Sequence, residues 1–123
     1  MSKAPKSPKT LPAPESFNLP LTGVESHAHL NGKYFADDLE EVLERAKKAG
    51  VARIAQVFMS STFWRETKYK FDNHPEVFFL LGIHPTEANW LTDEELAAIR
   101  QAIAEDGRIR AVGEIGLGYY WDR

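Results

Sequence analysis

Three short segments carry residue types at spacings that could do chemistry. His27 and His29 form a His-x-His pair, His84 stands in Gly82-Ile83-His84-Pro85, and Glu114 stands in Gly113-Glu114-Ile115-Gly116. In an extended segment, side chains at i and i+2 point the same way, with backbones about 6.6 Å apart. Two imidazoles so placed can converge on one metal ion through bonds of about 2.0–2.1 Å. In isolation the pair also reads as two polar loop residues, one of them hydrogen-bonded in the core; its place at the end of the first strand favours the metal. Glu114 follows the strand-like run IRAVG. A carboxylate there needs a partner, because an unpaired buried charge is very costly. A metal ion is one such partner, and a carboxylate can bridge two metals through its two oxygens. A salt bridge to Arg53 or Arg110 is another, and His27 and His29 tip the balance toward the metal. His84 has three readings: binding substrate phosphate, donating a proton, or bracing the rim of the site.

These residues are far apart in the chain, so regular elements must bring them together. Leu21–Ser26 reads as a short strand. Asp37 is expected to open a helix, with Glu40 as its capping-box partner and Leu39, Val42, Leu43 and Ala46 on one face. Gly50 suits the end of that helix. Val51–Phe58 is a second strand, residues 60–73 a second helix stopped before Pro75, and Val77–Leu81 a third strand. The third strand is apolar throughout, as for a strand buried on both faces. Thr92 should cap a third helix, with Glu95 completing the box, Leu91 and Leu96 as a hydrophobic staple, and Leu96, Ile99 and Ile103 as its buried stripe. Gly107 ends that helix, and residues 109–113 form a fourth strand.

The order βαβαβαβ, with about 25 to 32 residues between strands, predicts an α/β fold whose parallel strands are joined by right-handed crossovers. Loops that follow parallel strands share the carboxyl edge of the sheet, where α/β active sites lie. His27 and His29, His84, and Glu114 follow the first, third and fourth strands and so meet on that rim. His74 precedes Pro75 at the opposite edge and is expected at the surface, and Arg65 and Lys68 are expected on a solvated helix face. Trp64, Trp90, Tyr119, Tyr120 and Trp121 read as packing residues, with Tyr119 to Trp121 nearest to any substrate.

Composition narrows the classes. A chain of 123 residues can bury one core. Its 43% hydrophobic and 27% charged content excludes wholesale disorder and coiled coil. No run approaches the ~20 apolar residues of a membrane span. There is no cysteine, which excludes disulfides, thiolate metal sites and cysteine nucleophiles; a reducing, cytoplasmic location is expected. The net charge is −3, with +2 in residues 1–20 and −5 in the rest. That is a poor footprint for a phosphate backbone, so a phosphate-handling protein of this charge should rely on bound cations. Residues 1–20 hold five of the seven prolines and read as a disordered or extended tail before a domain at 21–123.

The segments ESHAHLN (25–31), LGIHPTEA (81–88) and VGEIGLGYYWD (112–122) resemble, in order and spacing, the amino-terminal half of TatD-type metal-dependent deoxyribonucleases of the metal-dependent hydrolase superfamily. The resemblance covers residues 21–123, and GIHP followed by GEIGL is its specific part. It implies a TIM-type (β/α)8 barrel family. Such a barrel needs about 250 residues, so only its first four strands, a parallel half barrel, are expected here. The resemblance further implies that His27 and His29 hold one divalent metal and that Glu114 bridges it to a second. Two ions per complete site are expected, with Mg, Mn and Zn as candidates. His84 is implied at the active rim, and His84 and Glu114 as the catalytic residues. Two departures stand out: Glu25 replaces the usual Asp, and Gly118 replaces another, removing a carboxylate near the site. In the family, two further histidines and an aspartate come from later strands, beyond Arg123.

The implied activity is hydrolysis of phosphodiester bonds, in DNA or a small phosphodiester, by a metal-activated water. Other ester or amide substrates remain open, because a fold does not fix a substrate. The alternative is a catalytically incomplete half barrel whose open edges favour self-association without enzymatic activity.

Overall fold

A computed structural model describes residues 10–119. Its strands β1 (Gly23–Ala28), β2 (Val51–Phe58), β3 (Val77–Leu81) and β4 (Ile109–Val112) form one sheet. All pairings are parallel, in the order β1-β2-β3-β4. Helices α1 (Leu39–Lys48), α2 (Ser61–Thr67) and α3 (Asp93–Glu105) alternate with the strands. β2 and β3 have the bounds expected from their apolar runs. β1 is displaced from the expected Leu21–Ser26 and takes in His27 and Ala28.

The helices cover one face of the sheet. Leu43, Trp64, Phe71, Ile99 and Ala102 close over Ile54, Phe58, Val77, Phe79, Leu81 and Ile109. Phe58, Phe71 and Phe79 meet edge to face, with centroids 4.9–6.4 Å apart, the arrangement that aromatic quadrupoles favour. Burial alternates along β3: Val77, Phe79 and Leu81 are buried, whereas Phe78 and Leu80 are half-buried. This corrects the expectation of burial on both faces, because helices shield only one. Arg108 lies over the Phe79 ring and donates to the carbonyls of Phe71, His74 and Val77, which fixes the turn that launches β3.

Several local signals yield to tertiary partners. α1 starts at Leu39 behind Asp38, whose side chain makes no capping bond. The box expected from Asp37 and Glu40 is absent because the Glu40 carboxylate lies 2.8 Å from His74 Nε2. His74 also approaches Glu76 at 3.4 Å, and its side chain is only 14% exposed; it is wedged between carboxylates rather than displayed at the surface. α2 stops at Thr67, and Lys68–Phe71 continues as a 3-10 turn. Lys68 Nζ sits 4.0 Å above the Trp64 ring.

At α3 the Thr92 hydroxyl accepts from the Glu95 N–H at 3.1 Å, as expected. The Glu95 carboxylate instead accepts from the backbone and hydroxyl of Ser61 at 2.7 and 2.8 Å, tying α3 to the start of α2. The buried residues of α3 are Ile99 and Ala102; Leu91, Leu96 and Ile103 are exposed. The expected stripe is thus only partly used. α3 leads into the edge strand β4, and its outer flank meets no further element among the described residues. Gly50 ends α1 with φ +96°, and a Cβ there would lie 2.8 Å from the Pro20 carbonyl.

Within the expected tail, Pro14–Phe17 forms a 3-10 turn, and Glu15 accepts from Arg45 Nε at 3.0 Å; residues 1–9 lie outside the described residues. No helix among the described residues is long and apolar enough to cross a membrane.

Candidate metal centre

The backbone around the His-x-His pair is held on both sides. Glu25 accepts from the His27 backbone N–H at 2.9 Å. The β1–β2 register shifts between Glu25 and Ala28, so the chain leaves regular pairing where the histidines begin. Beyond His29, the fully buried Gln56 takes over. Its Oε1 accepts from the Leu30 N–H at 2.7 Å, and its Nε2 donates to Asn31 Oδ1 and to the Val57 carbonyl, both at 2.9 Å. Asn31 in turn donates to Thr67 Oγ1 at 3.1 Å, and its carbonyl accepts from Lys70 Nζ at 3.0 Å. A neutral amide in an apolar strand thereby anchors the loop that carries the imidazoles.

The third and fourth strands deliver His84 and Glu114. Gly82 is buried, and a Cβ there would meet the Gly113 carbonyl carbon at 2.8 Å and the carbonyl oxygen of Glu114. Lack of a side chain lets the end of β4 lie directly against the end of β3. Nδ1 of His84 accepts from the Thr86 N–H at 3.1 Å and lies 2.7 Å from Thr86 Oγ1. With Nδ1 engaged by Thr86, it is Nε2 that faces Glu114, 2.8 Å from its Oε2.

The other oxygen of Glu114 faces the pair. Oε1 lies 2.6 Å from His27 Nε2 and 3.1 Å from His29 Nε2, and the two imidazole nitrogens are 3.1 Å apart. Ligands at 90–110° around an ion, with bonds of about 2.0–2.1 Å, are separated by about 2.9–3.4 Å. Two of the three edges fall in that range, and the third is slightly short. The triangle thus has the size of one face of a small divalent cation's coordination shell. These are also the described residues whose ligand atoms group closely enough to hold an ion.

Glu114 is mostly covered, with 18% of its side chain exposed, while His27 and His29 are about half exposed. Burial pushes the Glu114 carboxyl up. The hydrogen bond from His27, the charges of His84 and His27, and the His29 bond outweigh it and hold the carboxyl below its ordinary value. Glu114 is accordingly ionised at neutral pH.

The expected rim therefore forms: His27, His29, His84 and Glu114 meet although His27 and Glu114 are 87 residues apart. Two intervening strands would hold β1 and β4 about 14 Å apart in a flat sheet, so their contact requires the sheet to curl. Arg53 and Arg110 are not partners of Glu114. They line a groove with Pro75, Val77 and Phe78, where the strands begin.

Comparison with known proteins decides the family. The family model for TatD related DNase matches residues 24–123. This chain belongs to that family.

Over 99 residues it is 36% identical to the metal-dependent hydrolase YabD of Bacillus subtilis, covering 80% of this chain and 38% of YabD. Over 104 residues it is 32% identical to deoxyribonuclease TATDN3 of Homo sapiens, covering 78% of this chain and 38% of that protein. The crystal structure of YJJV, a TatD homologue from Escherichia coli, aligns with a TM-score of 0.69 at 28% identity, covering 79% of this chain and 38% of that one. The chain thus spans less than two fifths of the length of these TatD relatives. Its four parallel strands with their helices match part of a TatD-type TIM barrel, as expected.

Some site expectations change within the TatD frame. Trp64 is buried and donates to Asp106 at 2.9 Å, as a packing residue should, but Trp90 and Tyr119 are 71% and 78% exposed. Tyr120 and Trp121 lie outside the described residues. Gly118 lies against Pro85, and a Cβ would sit 2.8 Å from the Pro85 carbonyl. Residue-by-residue reading missed Gln56 and Thr86 as supports. Gln56 is the one amide in an apolar strand, and Thr86 stands two residues after His84; both signals were available.

Proposed function

We propose that this chain supplies the first metal-binding segment of a divalent-metal-dependent phosphodiesterase acting on DNA. His27, His29 and Glu114 hold the ion, and a second cation shares Glu114. The observation that carries this reading is the triangle of His27 Nε2, His29 Nε2 and Glu114 Oε1, with His84 placed at the other carboxylate oxygen. A cation held there supplies Lewis acidity toward a phosphoryl oxygen and a water of lowered pKa. The protein side of the chemistry is positional. Gln56 and Glu25 fix the backbone on either side of the imidazoles, Gly82 seats Glu114, and Thr86 holds the His84 ring through Nδ1 so that Nε2 meets Glu114 Oε2. Bound cations also reconcile an acidic chain with an anionic substrate.

The test pairs a binding readout with an activity readout. Mn(II) or Zn(II) is titrated calorimetrically into the full chain and into the His27→Ala/His29→Ala double variant. Cleavage of bis(4-nitrophenyl) phosphate and of a DNA oligonucleotide is followed with metal and with EDTA. The wild type should bind metal, the double variant should not, and cleavage should require both metal and Glu114. Equal affinity in the two proteins would remove the site.

A further inference from the structure

A cleft of about 420 Å³ opens beside the metal triangle and shares His29 with it. Its apolar wall is Val57, Met59 and Phe63, and its polar rim includes Lys33 and Glu66. Phe63 is 52% exposed and stands outside the aromatic trio that fills the core. The volume lies in the range of small-ligand sites. The chemistry is two-sided: a ring face and a soft thioether favour a flat apolar group, while an ammonium and a carboxylate favour an anion and an N–H-bearing edge.

We infer that this cleft is a nucleobase subsite: an unpaired base stacks on Phe63 against Met59, its N–H edge faces Glu66, and the adjoining phosphate lies toward Lys33 and the metal triangle. The choice of a nucleotide ligand rests on the phosphodiesterase reading above. The placement of the base rests on the cleft itself. A base seated here is withdrawn from any duplex, so the subsite selects single strands or frayed ends. Phe63 is a specificity residue in this account.

The experiment compares two labelled oligonucleotides of equal length and phosphate number, one with bases and one abasic. Both are titrated against the full chain in EDTA by fluorescence anisotropy. Stacking of one base on an aromatic side chain corresponds to about 5- to 150-fold in affinity. The wild type should prefer the base-bearing strand by a factor in that range, Phe63→Ala should erase the preference, and Phe63→Trp should keep it. The Met59 methyl resonance should shift with the base-bearing strand and not with the abasic one. Equal affinity of the wild type for both strands, or a preference that survives Phe63→Ala, overturns the subsite. The two readings fail separately. A chain that binds metal through His27 and His29 but shows no base preference loses only the subsite. A chain that binds no metal but keeps a Phe63-dependent preference loses only the hydrolase reading.

Discussion

Replacing Gln56 with methionine should damage the fold and the metal centre together. Methionine keeps the length and flexibility of the side chain but removes all three hydrogen bonds. The Leu30 N–H and Asn31 Oδ1 lose their partner, at a depth where Gln56 itself has no exposure. Each orphaned buried group costs about 1–3 kcal/mol, so Gln56→Met should destabilise the chain by roughly 2–6 kcal/mol. For a domain of about a hundred residues, each kcal/mol corresponds to about 4–8 °C in Tm, so the midpoint should fall by about 8 °C or more. The freed Leu30–Asn31 segment follows directly on His29, and loss of such supporting bonds typically lowers metal affinity about 10- to 100-fold. Urea unfolding followed by circular dichroism gives the first quantity, and calorimetric Mn(II) titration gives the second. A loss of less than about 1 kcal/mol with unchanged metal affinity would show that the amide does not organise the loop.

Three further outcomes are expected. Gly82→Ala places a methyl group against the Gly113–Glu114 backbone; it should cost about 1–3 kcal/mol and lower metal affinity in the same preparation, and an unaffected affinity would dissociate Gly82 from the seating of Glu114. Glu25→Ala removes the acceptor for the His27 N–H; metal affinity should drop about 10- to 100-fold with little change in the urea midpoint, because Glu25 is exposed. A backbone hydrogen bond, and then Arg45, hold the Glu15 carboxyl below its ordinary value. The sign follows: the small stabilisation is present above the unfolded-state pKa and is lost as pH falls through the folded value. NMR titration should show the Glu15 carboxyl moving up toward the ordinary range in Arg45→Ala.

The legible parts of this molecule were those set by local pattern with no rival. Val51–Phe58 and Val77–Leu81 were readable as strands because apolar, β-rich runs bounded by turn residues have few other uses. The rim was readable because parallel topology sends every strand's following loop to one edge, wherever the side chains then point. Local signals failed where a distant partner competed. Glu40 has the spacing of a capping residue, but His74 takes its carboxylate; Glu95 half-forms a box and spends its oxygens on Ser61. An apolar stripe such as Leu96, Ile99 and Ile103 says which face is hydrophobic and not what covers it. The convergence of Glu114 on two histidines depends on sheet curvature, which no spacing along the chain encodes.

That curvature gives the rim a mechanical role as well as a chemical one. β1 and β4 are joined to each other by no ladder; at their carboxyl ends they are linked by the reach of Glu114 to His27 and His29. The same side chains proposed to hold a cation are therefore a clasp between the outermost strands, fastened across the full width of the sheet. Opening the sheet must break the clasp, so a ligand held in it stabilises the whole curl by RT ln(1 + [L]/Kd). Thermal midpoints should then rise with divalent-cation concentration, and hydrogen exchange in β1 and β4 should slow together although the two strands never pair.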